Sequence, residues 1–205
     1  KLFKKKNKYN LFNKYLDKEN LNKNILITTF LYYDDYLKYE HLLGIYLSKV
    51  TKSKIFILLE QNDKKSQNYF ENVGLDNFIF YKKNNVFYKI KNFILSYKII
   101  SKIKNFEDFI NLDYKGLPAG KLIYGHHARY TGIPTTDFIR VDYYYFLSEL
   151  IGYYDQFNEI IDKYKIDFTV QSERQFIPMA VLNGVALKKK LSVFSNVGTT
   201  NISVK

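Results

Sequence analysis

The sequence contains no cysteine and no tryptophan, and only one methionine, three prolines and three arginines among its 205 residues. Without cysteine the chain cannot form disulfides, bind a metal through thiolates or use a cysteine nucleophile, which is typical of a reducing compartment. No apolar run approaches the roughly 18 residues that a membrane-spanning helix needs. No Gly-x-Gly-x-x-Gly pattern follows the first predicted strand, which argues against bound NAD or FAD.

Positive charge is abundant but unevenly placed. The net charge is +12, and residues 1–24 contain eight lysines against Asp17 and Glu19, so half of the excess lies there. Apolar side chains at helical spacing among these lysines predict a basic, helical leader over residues 1–24. The leader is either a solvated helix or a weak contact to an anionic membrane surface. With so few arginines and no recognition motif, we expect no specific binding of nucleic acid.

After residue 24, short apolar runs alternate with stretches of helical periodicity. Predicted strands cover 25–30, 54–60, 77–81, 166–170 and 191–194, and predicted helices cover 34–49, 63–74, 86–103, 141–165 and 176–190. This alternation predicts an α/β fold, doubly wound and Rossmann-like, with a mostly parallel sheet of about five strands flanked by helices. We expect residues 25–205 to form this domain.

Ligands of such sheets bind where the parallel strands end. The predicted strands therefore place residues 28–30, 61–63 and 171–174 on a candidate functional edge. Within the last range, Ser172 is suited to cap the following helix, and Glu173 and Arg174 would meet a ligand at that helix N-terminus.

Rare residue types concentrate in KGLPAGKLIYGHHARYTG, residues 115–132, which holds four of the nine glycines and two of the three histidines. It is not a P-loop, because three residues instead of four separate its first two glycines and Leu122 replaces the Mg-binding hydroxyl. His126 and His127 are adjacent, so their side chains diverge, and we expect no metal site. Either histidine has a pKa suited to a general base, and the alternative is a histidine that only packs.

Arginine is the third rare type in this segment. Its guanidinium binds phosphate or carboxylate through two parallel hydrogen bonds, which makes Arg129 a candidate for holding an anionic group. A structural ion pair of Arg129 with Asp137 or Asp142 is the alternative.

The pattern YKGLPAGKLIYGHHAR, residues 114–129, resembles a segment of bacterial surface and capsular polysaccharide biosynthesis proteins. The family has two glycines separated by three residues, then Leu-Ile-Tyr-Asp and an arginine four residues later. The matching positions here are Gly116, Gly120, Leu122, Ile123, Tyr124 and Arg129. The similarity covers roughly residues 112–195. Lys121 and Gly125 stand where the family commonly has aspartate, so the roles of those carboxylates do not carry over.

The resemblance implies the N-terminal, acceptor-side domain of a two-domain, GT-B-like glycosyltransferase. A C-terminal domain outside this chain would bind the nucleotide-sugar donor, and this chain itself would hold no cofactor. The acceptor would be a glycan or a lipid-linked precursor. The location would be the cytoplasm or the inner face of the membrane.

In the implied reaction an acceptor hydroxyl attacks the anomeric carbon of the donor sugar, and His126 or His127 accepts its proton. The residues expected to bind substrate are Gly116, Gly120, Tyr124, Arg129, Glu173 and Arg174. The alternative is a non-catalytic domain that binds a glycan or a precursor for an assembly machine.

Overall fold

The computed structural model of the chain describes residues 22–28, 30, 34–82, 86–132, 138–171, 176–197 and 201–204. The predicted leader therefore lies almost entirely outside the described residues. The described strands are β1 Lys23–Thr28, β2 Ser53–Glu60, β3 Phe78–Tyr81, β4 Phe168–Gln171, β5 Ser192–Val197 and β6 Asn201–Val204. The described helices are α1 Asp34–Thr51, α2 Lys64–Asn72, α3 Val86–Ile100, α4 Phe106–Ile110, α5 Ala119–Thr131, α6 Val141–Lys163 and α7 Met179–Lys188.

The strands form one sheet in the order β3-β2-β1-β4-β5-β6. Each pair from β3 to β5 is parallel, and β6 pairs antiparallel with β5 at the edge. This is the strand order of the Rossmann fold, which confirms the predicted α/β class and its mostly parallel sheet. The five predicted strands correspond to β1–β5, whereas β6 was not predicted.

β1 is central because it hydrogen-bonds to β2 on one side and to β4 on the other. Asn24 strengthens the second junction. Its side-chain amide donates to the carbonyls of Tyr164 and Lys165 at 2.9 and 3.1 Å, and its backbone N–H donates to the Asp167 carboxylate at 2.8 Å. One side chain thus ties the start of β1 to the turn that precedes β4.

One face of the sheet supplies the main apolar core. Alternate residues of β1 and β2, together with Val170 of β4, pack with the apolar sides of α1 and α2. Helix α1 comes especially close at Gly44, where an added Cβ would lie 2.1 Å from Cδ1 of Ile27. The burial of these apolar side chains stabilises the sheet, and the β-branched and apolar composition of the strands already predicts that burial.

The chain divides into two compact units. The sheet unit contains residues 1–83, 160–172 and 191–205, and the helical unit contains residues 84–159 and 173–190. The helical unit holds α3, α4, α5 and α7 with most of α6. The prediction of a single domain over residues 25–205 did not anticipate this unit, whose two segments connect β3 to β4 and β4 to β5.

The predicted helices 34–49, 63–74, 86–103, 141–165 and 176–190 match α1, α2, α3, α6 and α7 within a few residues. Helices α4 and α5 were not predicted. None of the described helices is both long and apolar enough to cross a bilayer.

Candidate functional site

Three polar side chains lie side by side near the carboxyl ends of the central strands. Thr28 ends β1, Gln171 ends β4, and Ser195 lies on β5. The register pairs Ile27 with Val170 and Gln171 with Ser195, which places the three residues in one line on the same face of the sheet. We call this line the polar row. Their exposed fractions are only 0%, 0% and 2%.

The polar row lies at the point where the strand order of the sheet reverses, between β1 and β4. Ligands of Rossmann sheets bind at this point because the loops that follow the two strands leave in opposite directions. The predicted placement of Thr28 and Gln171 at the carboxyl edge is confirmed. Four residues that were assigned to the same edge lie outside the described residues: Thr29, Ser172, Glu173 and Arg174.

Gln171 is the unusual member of the row. Its carboxamide oxygen and nitrogen are both buried and have no hydrogen-bond partner among the described residues. The hydroxyl of Thr169, two residues earlier on the same strand, is in the same situation, whereas the Thr28 hydroxyl donates to the Val170 carbonyl at 3.3 Å. An unpaired buried polar group costs about 1–3 kcal/mol, so it calls for a specific reason.

A second feature of this edge is an open depression of about 280 Å³ at the end of β2. It is lined by Glu60, Asn62, Asp63 and Lys65. Asp63 caps α2 by accepting a hydrogen bond from the Ser66 N–H at 3.0 Å. The predicted edge residues 61–63 therefore lie at a helix start, and Asp63 has at least a structural role.

The glycine-rich segment begins with a tight turn. Tyr114 and Leu117 exchange two backbone hydrogen bonds of 2.9 and 3.0 Å, and the Asp113 carboxylate accepts from the Gly116 N–H at 2.8 Å. Gly116 has φ of 85°, and Lys115 before it has φ of 54°. At Gly116 this backbone conformation costs little, because glycine has no Cβ.

Side chains from two helices fix this turn. The Lys188 ammonium donates to the Lys115 carbonyl at 2.5 Å and to the Tyr154 hydroxyl at 3.0 Å. The Lys115 ammonium pairs with the Asp155 carboxylate at 3.0 Å, and it also lies 5.1 Å from the centre of the Tyr154 ring. Hydrogen bonding to Asp155 is the largest of the effects that raise the pKa of Lys115.

Gly120 lets α5 approach the end of α4. A Cβ at this position would lie 1.8 Å from the Phe109 carbonyl oxygen, which is backbone and cannot move aside. At Gly125, on the same helix, nothing lies within 4 Å of such a Cβ. Gly116 and Gly120 thus serve turn formation and helix packing, and the substrate-binding role assigned to both remains a prediction without support from this geometry.

His126 is buried in α5 and acts as a hydrogen-bond acceptor. Its Nδ1 accepts from the Ile177 N–H at 3.3 Å, which places the hydrogen of the neutral imidazole on Nε2. The ring stacks on Tyr130 and contacts Phe146 and Phe176 edge-on. Burial, with a smaller contribution from His127, lowers the pKa of His126 to about 4.

His127 is also buried, and its ring contacts Tyr143 edge-on. Its Nε2 lies 3.5 Å from the Asp142 carboxylate, which is itself 3.6 Å from Nε of Arg140. Burial and the charge of Arg140 lower the pKa of His127, and Asp142 opposes them only in part. Both histidines are therefore neutral at pH 7, and their catalytic role remains a prediction.

The remaining predicted residues are dispersed. Tyr124 is half-buried, with its ring edge-on to Phe106. Arg129 is exposed in the last turn of α5. Asp142, one of its two proposed partners, lies instead beside Arg140, and the other, Asp137, is outside the described residues.

Within the described part of the chain, no group of three or more His, Asp or Glu side chains is arranged to hold a metal ion. Thr169 and Ser195 were not singled out from the sequence. Ser195 lies just beyond the predicted strand 191–194. Thr169 was counted only as part of the predicted strand 166–170, although strand alternation places it on the same face as Gln171.

No protein-family model and no curated protein matches this chain. Among solved structures, a CDPS from Fluoribacter dumoffii is similar to it with a TM-score of 0.45 and 13% sequence identity. The similarity covers 90% of this chain and 91% of that chain. A similarity this low supports no conclusion about the function of this chain.

Gly120→Ala and Gly125→Ala form a matched pair on α5. We expect Gly120→Ala to destabilise the protein by about 1–3 kcal/mol, because its Cβ collides with backbone. Gly125→Ala has room for its Cβ and should stabilise by about 0.5–1 kcal/mol through helix propensity. Denaturant unfolding of both variants measures this, and equal effects would contradict the assigned packing.

The buried histidines predict a pH-dependent stability. The pKa of His126 is about 4 in the folded protein and about 6.5 in the unfolded chain, so the unfolded chain binds more protons between these values. The contribution of neutral His126 to the free energy of unfolding is fully present above pH 6.5 and is lost as the pH falls toward 4. Between pH 7 and pH 5 we expect a loss of up to about 2 kcal/mol from this residue.

His126→Asn is the matched variant for this measurement, because its Oδ1 can accept from the Ile177 N–H but does not titrate. It should reduce the pH dependence of the free energy of unfolding over this range. An unchanged dependence would show that His126 is not the titrating group. His41, whose pKa burial also lowers to about 4, should account for part of the remaining dependence.

Proposed function

We propose that the chain is the acceptor-side domain of a glycosyltransferase of bacterial surface polysaccharide biosynthesis. The full enzyme would transfer a sugar from a nucleotide sugar to a glycan or lipid-linked acceptor. The observation that carries a ligand-binding role is the buried carboxamide of Gln171, unpartnered among the described residues, in the polar row. It lies where Rossmann sheets bind their ligands.

The chemistry of the polar row suits a carbohydrate. Each sugar hydroxyl both donates and accepts a hydrogen bond, and a glutamine carboxamide offers one acceptor oxygen and two donor hydrogens. The hydroxyls of Thr169 and Ser195 add groups of the same kind on the same face of the sheet. None of these residues is charged, so the polar row favours a neutral part of a ligand over a phosphate.

The reaction class rests on the resemblance of residues 114–129 to polysaccharide biosynthesis proteins. Gly116 and Gly120 build a turn and a close helix contact, so the matched pattern supports a shared local fold more than a shared chemistry. Under this proposal the protein acts in the cytoplasm, with a nucleotide sugar, an acceptor and a donor-binding domain as partners.

One observation favours the second candidate, a non-catalytic glycan- or precursor-binding domain. His126 is one of the two candidates for the base, and its Nδ1 lone pair is engaged by the Ile177 N–H. A base must have a free lone pair within reach of the hydroxyl proton. The binding domain needs no such group.

The first test is Gln171→Met in the full-length protein. Replacing an unpaired buried amide with an apolar side chain of similar size should raise the free energy of unfolding by about 1–3 kcal/mol. The same change should weaken acceptor binding at least about tenfold, because hydrogen bonds to the ligand are lost. Binding would be measured by calorimetry with surface glycans and lipid-linked precursors.

Gln67→Met on α2 is the matched control, since that side chain hydrogen-bonds Glu71 at the surface, and it should change neither quantity appreciably. If Gln171→Met instead lowered stability and left glycan binding intact, Gln171 would be a structural residue and the proposed site would be wrong.

Transfer from a labelled nucleotide sugar separates the two candidate functions. If His126 is the base, His126→Asn should lower transfer by about 10²-fold or more while the Ile177 anchor and the stability are kept. Transfer at the wild-type rate would reassign His126 to anchoring Ile177. Glycan binding without transfer from any nucleotide sugar would favour the binding domain.

A further inference from the structure

Helix α3 turns an apolar side toward solvent. Phe87, Ile90 and Ile94 recur at helical spacing, and their side chains are 84%, 53% and 49% exposed. Tyr97 extends this side by one more turn and is 58% exposed. We call these four residues the α3 apolar face. A run of large exposed apolar side chains on one helix marks an interaction surface.

The opposite side of α3 is polar and buried. Asn92 and Ser96 are 2% and 0% exposed, and the Ser96 hydroxyl donates to the Tyr144 carbonyl on α6 at 2.6 Å. Beside them, the Phe93 ring lies 5.1 Å from the Tyr145 ring. These contacts fix the rotation of α3, so the apolar face cannot turn inward without breaking them.

The charges around this face have one sign. From residue 86 to residue 104 the chain has five lysines and no aspartate or glutamate. These exposed lysines are Lys89, Lys91, Lys98, Lys102 and Lys104. By contrast, α1 also exposes apolar side chains, Leu42, Tyr46 and Val50, but it opens with Asp34 and Asp35.

We propose that the α3 apolar face docks on an anionic phospholipid surface. A helix that combines exposed Phe, Ile and Tyr with lysines lies in the plane of the membrane interface, with its apolar side in the boundary between headgroups and acyl chains. The lysines would bind the anionic headgroups, each contributing about fivefold to the partition coefficient. The α3 apolar face is distinct from the leader. The docking proposal does not depend on the proposed function.

The charge also decides against a second copy of the chain as the occupant. Two α3 apolar faces packed together would bring ten lysines close to one another without a single acidic partner on either helix segment. Like charges that face each other across an interface disfavour association. An anionic lipid surface offers the opposite charge over the whole length of the helix.

A single introduced tryptophan tests this site directly, because the chain has none of its own. Ile94→Trp places the probe on the α3 apolar face, and Tyr46→Trp places it at the 64% exposed site on α1. Each variant would be mixed with vesicles of phosphatidylglycerol and phosphatidylcholine, and with vesicles of phosphatidylcholine alone. Tryptophan emission shifts to the blue when the indole enters the interface.

We expect a blue shift only for Ile94→Trp and only with the anionic vesicles. If neither variant showed a blue shift, the proposal would be overturned. If the protein still sedimented with the vesicles in that case, the binding would be assigned to another segment such as the leader. A shift of Ile94→Trp that grows with protein concentration in the absence of vesicles would instead identify a second copy as the occupant. An emission that is blue from the start and insensitive to vesicles would mean that the chain covers this face itself.

A triple substitution tests the apolar contribution separately. Phe87→Ser, Ile90→Ser and Ile94→Ser together should weaken vesicle partitioning at least about tenfold, while all five lysines remain. The matched control is Leu42→Ser, Tyr46→Ser and Val50→Ser on α1, which removes a comparable exposed side and should leave partitioning unchanged. Equal partitioning of the wild type and the α3 variant would overturn the proposal.

Discussion

The rest of the sheet depends on the pairing of β1 with strands that are distant from each other in the chain. β1 hydrogen-bonds along its length to β2 and through residues 25–27 to β4, and the pairing of Ile27 with Val170 joins residues that are 143 positions apart in the sequence. Asn24 reinforces this junction through four hydrogen bonds to residues 164–167. Because β4 pairs here, Gln171 lies beside Thr28, and the sheet reverses its strand order at a line of buried polar groups.

Two buried polar side chains, His126 and Gln171, differ in whether they have hydrogen-bond partners. His126 has a backbone donor for its Nδ1 and aromatic rings around it, so its burial is compensated and its role in this conformation is explained by packing. Gln171 is as deeply buried but has no partner among the described residues. The free energy cost of this unpaired carboxamide is the physical reason for which we propose a ligand at the sheet edge rather than beside His126.

The glycines of the glycine-rich segment have structural roles. Gly116 supplies a backbone conformation with positive φ, Gly120 allows helix contact at backbone distance, and Lys188 and Asp155 hold the turn between them. In this chain the spacing of Gly116 and Gly120 is explained by the turn and by the close contact of α5 with the end of α4. The exposed surface of the same unit, on α3, is different, because Phe87, Ile90 and Ile94 turn large apolar side chains toward solvent on a segment that has lysines but no acidic residue.

The sequence by itself determined the alternation of strands and helices, and with it the fold class and the residues at the carboxyl edge, because periodicity and apolar runs are local properties. Helix α5 was missed because Gly120 and Gly125 lower helix propensity, and only contacts with α4 justify the first of them. The antiparallel β6 was missed as well. Only the tertiary structure decided the strand order, the line formed by Thr28, Gln171 and Ser195, the engaged lone pair of His126 and the outward rotation of the apolar side of α3. Each of these depends on which distant segments meet, and no spacing along the chain specifies that.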